Sequence, residues 1–266
     1  MDWKMSGEAR SDAALVQEVY SVFSEKDRLT GTKAAWVEFL TTVKYIEKYL
    51  SPGSKILDIG AGAGEYSLYF ARRGYDVSAL ELADANIAVF QSRMMPEDRV
   101  SLVQGNALDL SRYENAQFDV VLLFGPLYHL HSIEDRKRCI EEAKRVCKPG
   151  GTLFFAFIAN DIVILTMFQC EPDYFVNGLY NKETFKVDDV PFVFHTVDAA
   201  RDLLTGCGVE ILHEVAADGV SEMLQEKINA MDDESYAQYL RFHGYLCEKP
   251  ECLGMSNHLL FVGKKA

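Results

Sequence analysis

The amino-acid sequence predicts an α/β fold built on a doubly wound, mostly parallel sheet. From Lys55 onward, short apolar runs alternate with amphipathic segments, a pattern typical of parallel strands with helices packed on both faces. Glycines at positions 60, 62 and 64 follow the first apolar run, as expected where a buried strand turns sharply into a helix. A carboxylate, Glu81, stands directly after the second run, at the edge where open α/β sheets bind ligands.

Five strands and three helices follow from this alternation. The strands are expected at 55–59, 76–80, 100–104, 118–124 and 152–158, and the helices at 65–73, 84–94 and 133–147. The third helix has the clearest start, because Ser132 and Asp135 have the spacing of a capping box. The sequence KPGG at 148–151 is expected to form the turn that ends it.

The rest of the chain divides into an N-terminal helical region and two insertions. Apolar residues recur every three or four positions at 13–23 and 35–50. We therefore expect residues 1–50 to form helices that cover the ligand cleft, and residues 51–266 to form the main domain. A helix from 197 and strands at 209–215 and 258–262 continue the alternating pattern, which segments 160–195 and 220–248 interrupt. The second insertion has a helical pattern, whereas the first is rich in aromatic residues and forms either a lid or a small accessory core.

Composition argues against several classes of partner. The formal net charge of -13 opposes binding to a nucleic acid backbone. The most apolar stretch, 152–168, contains Asn160 and Asp161 and is too short for a membrane span. Residues 1–14 lack the apolar run of a secretory signal. The six cysteines form no CxxC pair, which predicts reduced thiols in a cytoplasmic protein and no metal site. The oligomeric state stays open.

The segment from Asp58 to Glu65 carries the most specific signal in the chain. Glycine permits positive φ and lets a ligand lie against the backbone, while the start of the next helix offers free N–H groups. A dinucleotide fingerprint needs glycine at the position of Glu65, and a carboxylate there would repel a pyrophosphate. The spacing thus opposes a dinucleotide, although an ordinary strand-to-helix turn has the same local pattern.

Two further loops offer polar groups at the same edge of the sheet. Glu81 can accept hydrogen bonds from both ribose hydroxyls of an adenosine. That geometry suits a nicotinamide cofactor equally, and an ordinary surface carboxylate is the other alternative. The loop from Gly105 to Asp109 is placed to meet an adenine edge, and the loop 125–131 follows the fourth strand.

In order and spacing, these elements and the KPGG sequence resemble the class I methyltransferases over about residues 55–158. The runs GPLYHL (125–130) and SNHLLFVG (256–263) look more narrowly like a bacterial subgroup with largely unassigned substrates. The resemblance implies a seven-stranded Rossmann-like sheet with an antiparallel last strand. It also implies S-adenosylmethionine as the cofactor, S-adenosylhomocysteine as its product, and a small metabolite whose O, N or C atom is methylated. A nicotinamide-dependent oxidoreductase and a non-catalytic S-adenosylmethionine-binding regulator are the alternatives.

The resemblance also assigns residues to each part of the cofactor. It places Asp58, Gly60, Gly62 and Gly64 at the methionine end, Glu81 at the ribose, and Asn106 with Ala107 at the adenine. The other expected cofactor contacts are Ala61, Leu82, Phe124 and Gly125. Asn106 departs from the family, which commonly has aspartate there, and an asparagine carbonyl accepts a hydrogen bond from adenine more weakly.

Candidate acid and base groups follow the fourth strand. His129 is the first candidate for a general base, because it follows that strand at the cleft edge and an imidazole titrates near neutral pH, and Tyr128 is a further candidate acid or base by its position. His131 and His195 are weaker candidates, since a structural role is more common for any single histidine. His258 falls in the expected last strand, which favours a structural role, while the subgroup resemblance leaves a functional one open. Orientation of the reacting atoms can dominate the rate without any base.

Overall fold

The computed structural model describes residues 11–265, and every structural statement refers to this part of the chain. The strands are β1 Lys55–Ile59, β2 Asp76–Glu81, β3 Val100–Gln104, β4 Phe118–Leu123, β5 Cys147–Ala159, β6 Phe194–His195, β7 Val209–Ala216 and β8 His258–Lys265. Seven of them form the sheet in the order β3-β2-β1-β4-β5-β8-β7, and the two residues of β6 extend it beside β5. Strand β8 is antiparallel to both neighbours, whereas the other pairings are parallel. The predicted fold class is therefore confirmed.

Helices cover the sheet and join its strands. Those before β5 are α1 Asp12–Val22, α2 Lys33–Glu47, α3 Glu65–Ala71, α4 Asp84–Arg93 and α5 Ile133–Val146. Those after it are α6 Asn160–Cys170, α7 Tyr174–Asn177, α8 Val197–Gly206, α9 Gln225–Asn229, α10 Asp233–Leu246 and α11 Pro250–Leu253. Side-chain oxygens of Ser11, Thr32, Ser132, Thr196 and Asp232 cap five helices by accepting a backbone N–H three residues on. None of the helices within 11–265 is long and apolar enough to cross a membrane.

The central strands are buried on both faces, which fixes the edge where the site forms. Leu57 and Ile59 of β1 pack into the core beneath α5 and α8, while Ile56 points to the opposite core beneath α2 and α3. All three are fully buried. Because parallel strands covered on both faces offer little surface, ligands meet the sheet at the carboxyl ends of its strands.

The KPGG sequence does not form the turn that the sequence predicts. Strand β5 begins at Cys147, so this segment lies inside the strand. The pairing advances two residues along β4, from Phe118 to Val120, and five along β5, from Cys147 to Thr152. The extra residues bulge out of the ladder, and Gly150 at φ 78° accommodates the bend.

The two insertions pack in different places. Segment 160–195 forms α6, α7 and β6, and four of its residues make a small core of their own: Ile164, Tyr174, Tyr180 and Val187. Segment 220–248 contains α9 and α10, as its helical pattern predicts. The Asn229 side chain accepts the backbone N–H of Ala34 at 2.9 Å, which joins this insertion to the N-terminal helices.

Candidate functional site

A cavity of about 500 Å³ opens at the carboxyl ends of β1, β2 and β4. Its wall contains every cofactor residue expected from the sequence except Gly64, together with Tyr128 and His129. Within the described part of the chain, none of the lining residues comes from segment 160–195. The segment has the small core of one alternative, while the lid, which is compatible with such a core, stays a prediction.

The glycine turn forms one wall of the cavity. Gly60 has φ 78°, and a Cβ atom there would lie 2.5 Å from the carbonyl oxygen of Phe124. Gly62 has φ 54°, and a Cβ atom there would meet no atom within 4 Å. Gly60 is thus required by the close approach of the loop after β4, whereas Gly62 leaves its backbone open to a ligand.

Gly64 plays a different part from the one expected. It precedes α3 with φ 84°, and a Cβ atom there would lie 2.5 Å from the ring of Phe90 on α4. Packing of two helices explains this glycine, because its backbone is covered by an aromatic ring. The expected contact of Gly64 with the methionine end of a cofactor stays a prediction.

Asp58 at the end of β1 has one carboxylate oxygen without a partner. Its side chain is 1% exposed, and Oδ2 accepts a 2.7 Å hydrogen bond from the Ser67 hydroxyl. Oδ1 is buried and has no hydrogen-bond partner. Burial raises the pKa of this carboxyl to about 7. An unpaired buried carboxylate oxygen is costly, so the site is prepared for a hydrogen-bond donor from a ligand.

Glu81, the last residue of β2, is a buried carboxylate, so the surface-acid alternative is wrong. Oε2 accepts the backbone N–H of Gly62 at 2.8 Å, and Oε1 accepts that of Ala83 at 2.8 Å. The Asn86 amide donates a third bond of 3.3 Å to Oε1. Burial raises the pKa of Glu81, while these donors act in the opposite direction. They fix both oxygens at the cavity wall and leave acceptor capacity unused.

The expected adenine contact differs in detail. The Asn106 side-chain carbonyl accepts the backbone N–H of Leu108 at 2.9 Å, which closes a local turn. This carbonyl is therefore already engaged, although Asn106 and Ala107 both line the cavity. Glu65 lines it as well, and its carboxylate is paired with the guanidinium of Arg93.

In the loop after β4, Tyr128 ends a short 3₁₀ turn, Pro126–Tyr128, and His129 follows directly. His129 is 7% exposed, and burial lowers the pKa of its imidazole to about 4. Its Nδ1 is buried without a partner. Burial also raises the pKa of the Tyr128 hydroxyl. Both side chains are therefore neutral near pH 7, and the low pKa makes the His129 imidazole a weak base.

Helix α1 supplies cavity residues that the sequence did not single out. Its Gln17 side chain donates to the Leu82 carbonyl at 2.9 Å and accepts the Asp84 N–H at 3.1 Å. Tyr20 lines the cavity beside Val16. The apolar spacing of residues 13–23 predicts a helix but does not indicate which of its residues line the cavity.

The two weaker candidates, His131 and His195, differ in position. His131 lines the rim, and its Nδ1 lies 2.7 Å from a carboxylate oxygen of Asp12. His195 Nε2 is 2.6 Å from the guanidinium of Arg136, and burial lowers the pKa of this imidazole to about 4.

His258 belongs to a buried ion cluster at the start of β8. Its Nδ1 lies 2.8 Å from Asp218 and 3.3 Å from Glu38, which also binds Arg28. Desolvation disfavours the imidazolium, but Glu38 and Asp218 outweigh it and raise the pKa of His258 to about 9. One atom from each of His258, Asp218 and Glu38 lies within 4.8 Å of the other two, so ion pairing accounts for the group without a metal. The structural role expected for His258 agrees with this arrangement.

Comparison with known proteins agrees with the geometry. Residues 57–155 match the sequence profile of a family described as "Methyltransferase domain". This segment is similar to known methyltransferase domains. The match agrees with the enzyme class and the cofactor that the sequence predicts.

Two relatives and one solved structure illustrate the similarity. The ubiquinone/menaquinone biosynthesis C-methyltransferase of Legionella pneumophila (strain Paris) is 26% identical over 160 residues, 58% of this chain and 60% of that protein. The demethylmenaquinone methyltransferase of Clavibacter sepedonicus is 26% identical over 235 residues, 88% of this chain and 81% of that protein.

The crystal structure of magnesium protoporphyrin IX methyltransferase from Synechocystis PCC 6803, solved with bound SAH, has the same fold. Its TM-score is 0.58 at 13% identity, and the match covers 96% of this chain and 100% of that one. The alignment with the Legionella pneumophila protein spans 60% of that protein's length, so the rest of that protein is not matched by this chain.

Proposed function

We propose that this protein transfers a methyl group from S-adenosylmethionine to an O, N or C atom of a small metabolite. The observation that carries the proposal is the pair of buried carboxylates, Asp58 and Glu81, on either side of the open backbone of Gly62. Together with the methyltransferase domain at 57–155, this arrangement matches the chemistry of an amino acid joined to a nucleoside.

The residues fit that cofactor at both ends. Asp58 Oδ1, buried and without a partner, suits an ammonium group, because a charged donor would satisfy it. Glu81 holds unused acceptor capacity for ribose hydroxyls. Leu82, Ala107 and Phe124 line the same cavity and offer an apolar surface to an adenine ring. Gly62 leaves its backbone open beside the two carboxylates.

When bound, S-adenosylmethionine supplies a methyl group made electrophilic by its positively charged sulfur. The task left to the chain is to bind both reactants, exclude water and hold the acceptor atom in line. Buried His129, with a pKa of about 4, remains neutral over the physiological range. It therefore serves better as an orienting group than as a strong base.

The alternatives are less well supported. A dinucleotide would place its pyrophosphate at the start of α3, where the Glu65 carboxylate lines the cavity. A regulator without activity needs no fixed polar group beyond the cofactor contacts, yet Tyr20 and His129 stand in the same wall.

We further propose a small-molecule acceptor, no nucleic acid partner, and a cytoplasmic location. The net charge of -13 supports the second point, and free thiols at all six cysteines support the third. One relative is named for ubiquinone/menaquinone biosynthesis and the other for demethylmenaquinone, which supports a small metabolite. Membership of the GPLYHL subgroup remains a proposal, which rests on the loop sequence at 125–130. The division into N-terminal helices at 1–50 and a main domain at 51–266 is also a proposal.

Thermal unfolding with S-adenosylhomocysteine and with NAD tests the function, because only a ligand that binds the native state stabilises it. S-adenosylhomocysteine is expected to raise the Tm and NAD is not. A shift with NAD alone, or equal shifts, would reject the proposal. Release of S-adenosylhomocysteine during incubation with a metabolite library separates an enzyme from a regulator.

A further inference from the structure

A hydroxyl from the N-terminal helix is fixed at the cavity wall. The Tyr20 oxygen on α1 lies 2.8 Å from Nε2 of His129, and both residues line the cavity. Their rings meet edge to face with centroids 5.4 Å apart. The two residues are 109 positions apart in the sequence, so the contact joins α1 to the loop after β4.

His129 cannot easily turn away from this contact. The rings of Phe192 and Tyr128 pack against the His129 imidazole, with centroid-to-centroid distances of 5.2 and 5.1 Å. The Val193 N–H donates to the Tyr128 carbonyl at 2.9 Å, which fixes the backbone beside the imidazole. Because the imidazole is held on several sides, the Tyr20 hydroxyl keeps one position.

The hydroxyl is also uncharged near neutral pH. Burial raises the pKa of Tyr20 and lowers that of His129 to about 4. The pair therefore has no charge to neutralise that of a ligand. It can exchange hydrogen bonds with an N–H or O–H group, since a neutral phenol both donates and accepts.

Charged groups nearby disfavour an anionic ligand. Arg28 is the one lysine or arginine among the described lining residues. Its guanidinium binds Glu25 at 2.8 Å and both oxygens of Glu38 at 2.8 and 3.4 Å. Two carboxylates thus share one cation, and Glu25 itself lines the cavity. A carboxylate or phosphate on the acceptor would find no free cation in this wall.

We propose that the Tyr20 hydroxyl, positioned by His129, binds an N–H or O–H group of the methyl acceptor, and that this acceptor carries no negative charge. The inference rests on the proposed methyltransferase function and adds its acceptor class. Tyr20 is the residue that contacts the acceptor, and His129 acts through it as a positioning residue.

Calorimetric titration with two cofactor analogues tests the role of Tyr20. Sinefungin carries a protonated amine in place of the methyl sulfonium, whereas S-adenosylhomocysteine has a bare thioether. Tyr20→Phe is expected to weaken sinefungin binding by about tenfold or more, as for a lost hydrogen bond to a charged group. Binding of S-adenosylhomocysteine should stay within about twofold.

A matched pair outside the cavity provides the control. The Tyr49 hydroxyl lies 2.9 Å from Nε2 of His213, so Tyr49→Phe removes the same kind of bond elsewhere and should alter neither affinity. Equal weakening of both analogues by Tyr20→Phe, or no weakening of either, overturns the proposal. His129→Phe should reproduce the selective loss, and His129→Gln, which keeps a polar partner for the hydroxyl, should restore part of it.

The acceptor class is tested by release of S-adenosylhomocysteine across compounds grouped by charge. Turnover is expected with amines, alcohols or phenols that carry no carboxylate or phosphate. A carboxylate or phosphate compound as the best acceptor overturns this part of the inference. Wild-type protein that binds neither analogue would reject the methyltransferase function itself, which distinguishes the two failures.

Discussion

The Glu81 carboxylate and the Gly62 backbone N–H are joined by a 2.8 Å hydrogen bond. This bond ties the end of β2 to the glycine turn after β1, so the residue expected to bind the ribose also holds the turn expected to bind the methionine end. The two parts of the cofactor site are therefore mechanically coupled, and a change at Glu81 should affect both.

Glu81→Ala tests this coupling. We expect S-adenosylhomocysteine affinity to fall by about 1–3 kcal/mol, because the ribose hydroxyls lose a buried charged acceptor. Thermal stability should fall too, since the N–H groups of Gly62 and Ala83 lose their partner. Calorimetry and thermal unfolding measure both effects. Glu210→Ala, at an exposed position of β7, serves as the control, and unchanged affinity in Glu81→Ala would remove Glu81 from the site.

Asp58 should make cofactor binding depend on pH. Its pKa is raised to about 7, so the folded protein holds a proton there that the unfolded chain releases near pH 4. The Asp58 carboxyl ionises as the pH rises from 6 to 8. The affinity for S-adenosylhomocysteine should increase by up to about tenfold over this range, because the ammonium group of the ligand pairs with the ionised carboxylate.

The stability of the unliganded protein should change in the opposite direction. It should decrease as pH rises from about 4 to about 7, since the unfolded carboxyl ionises first. Asp58→Asn should flatten both dependences, whereas Asp76→Asn, at an exposed position, should leave them unchanged. Calorimetry and urea unfolding over this pH range measure them, and an unaltered binding profile in Asp58→Asn would contradict the assignment.

Alanine at three glycines should separate strain from ligand contact. Gly53, Gly62 and Gly64 have φ values of 82°, 54° and 84°, so each substitution should cost about 1–2 kcal/mol of unfolding free energy. Only Gly62→Ala places a methyl group in the cavity wall, and it alone should weaken S-adenosylhomocysteine beyond the loss of stability. Gly64→Ala should be the least stable, because its methyl group would overlap Phe90. Equal affinity losses in all three would argue against a direct contact at Gly62.

NMR titration of the histidine rings tests the electrostatics around the acceptor site. His129 should titrate near pH 4 because of burial, and His258 near pH 9 because of its two carboxylates. Between about pH 6.5 and pH 4 the unfolded chain binds a proton at His129 that the folded protein does not. The contribution of His129 to the free energy of unfolding is therefore complete above about pH 6.5 and is lost as the pH falls toward 4. Spectra of His129→Phe assign its signal. Titration of that signal near pH 6.5 would show that the imidazole is solvated and free to act as a base.

The sequence predicted the element order well because its signals are local. The spacing of apolar residues located β1 and β3 without error, since each strand is bounded by turn residues. The predicted turn at KPGG was wrong, because pairing with β4 extends β5 through glycines that favour a turn in isolation. The second reason for glycine at position 64 was missed, since only the packing of α3 against α4 brings Phe90 to its backbone.

The alternating α/β order, the glycine turn and the two carboxylates at strand ends can be read from the chain directly, because a ligand against a sheet edge needs those residue types at fixed local spacing. Three features depend on the folded arrangement: Asp58 Oδ1 lacks a partner, Asn106 closes its own turn, and Tyr20 reaches His129. Each of these depends on which side chains fill the space around a group. That environment is set by contacts between distant segments, which no local pattern of residues records.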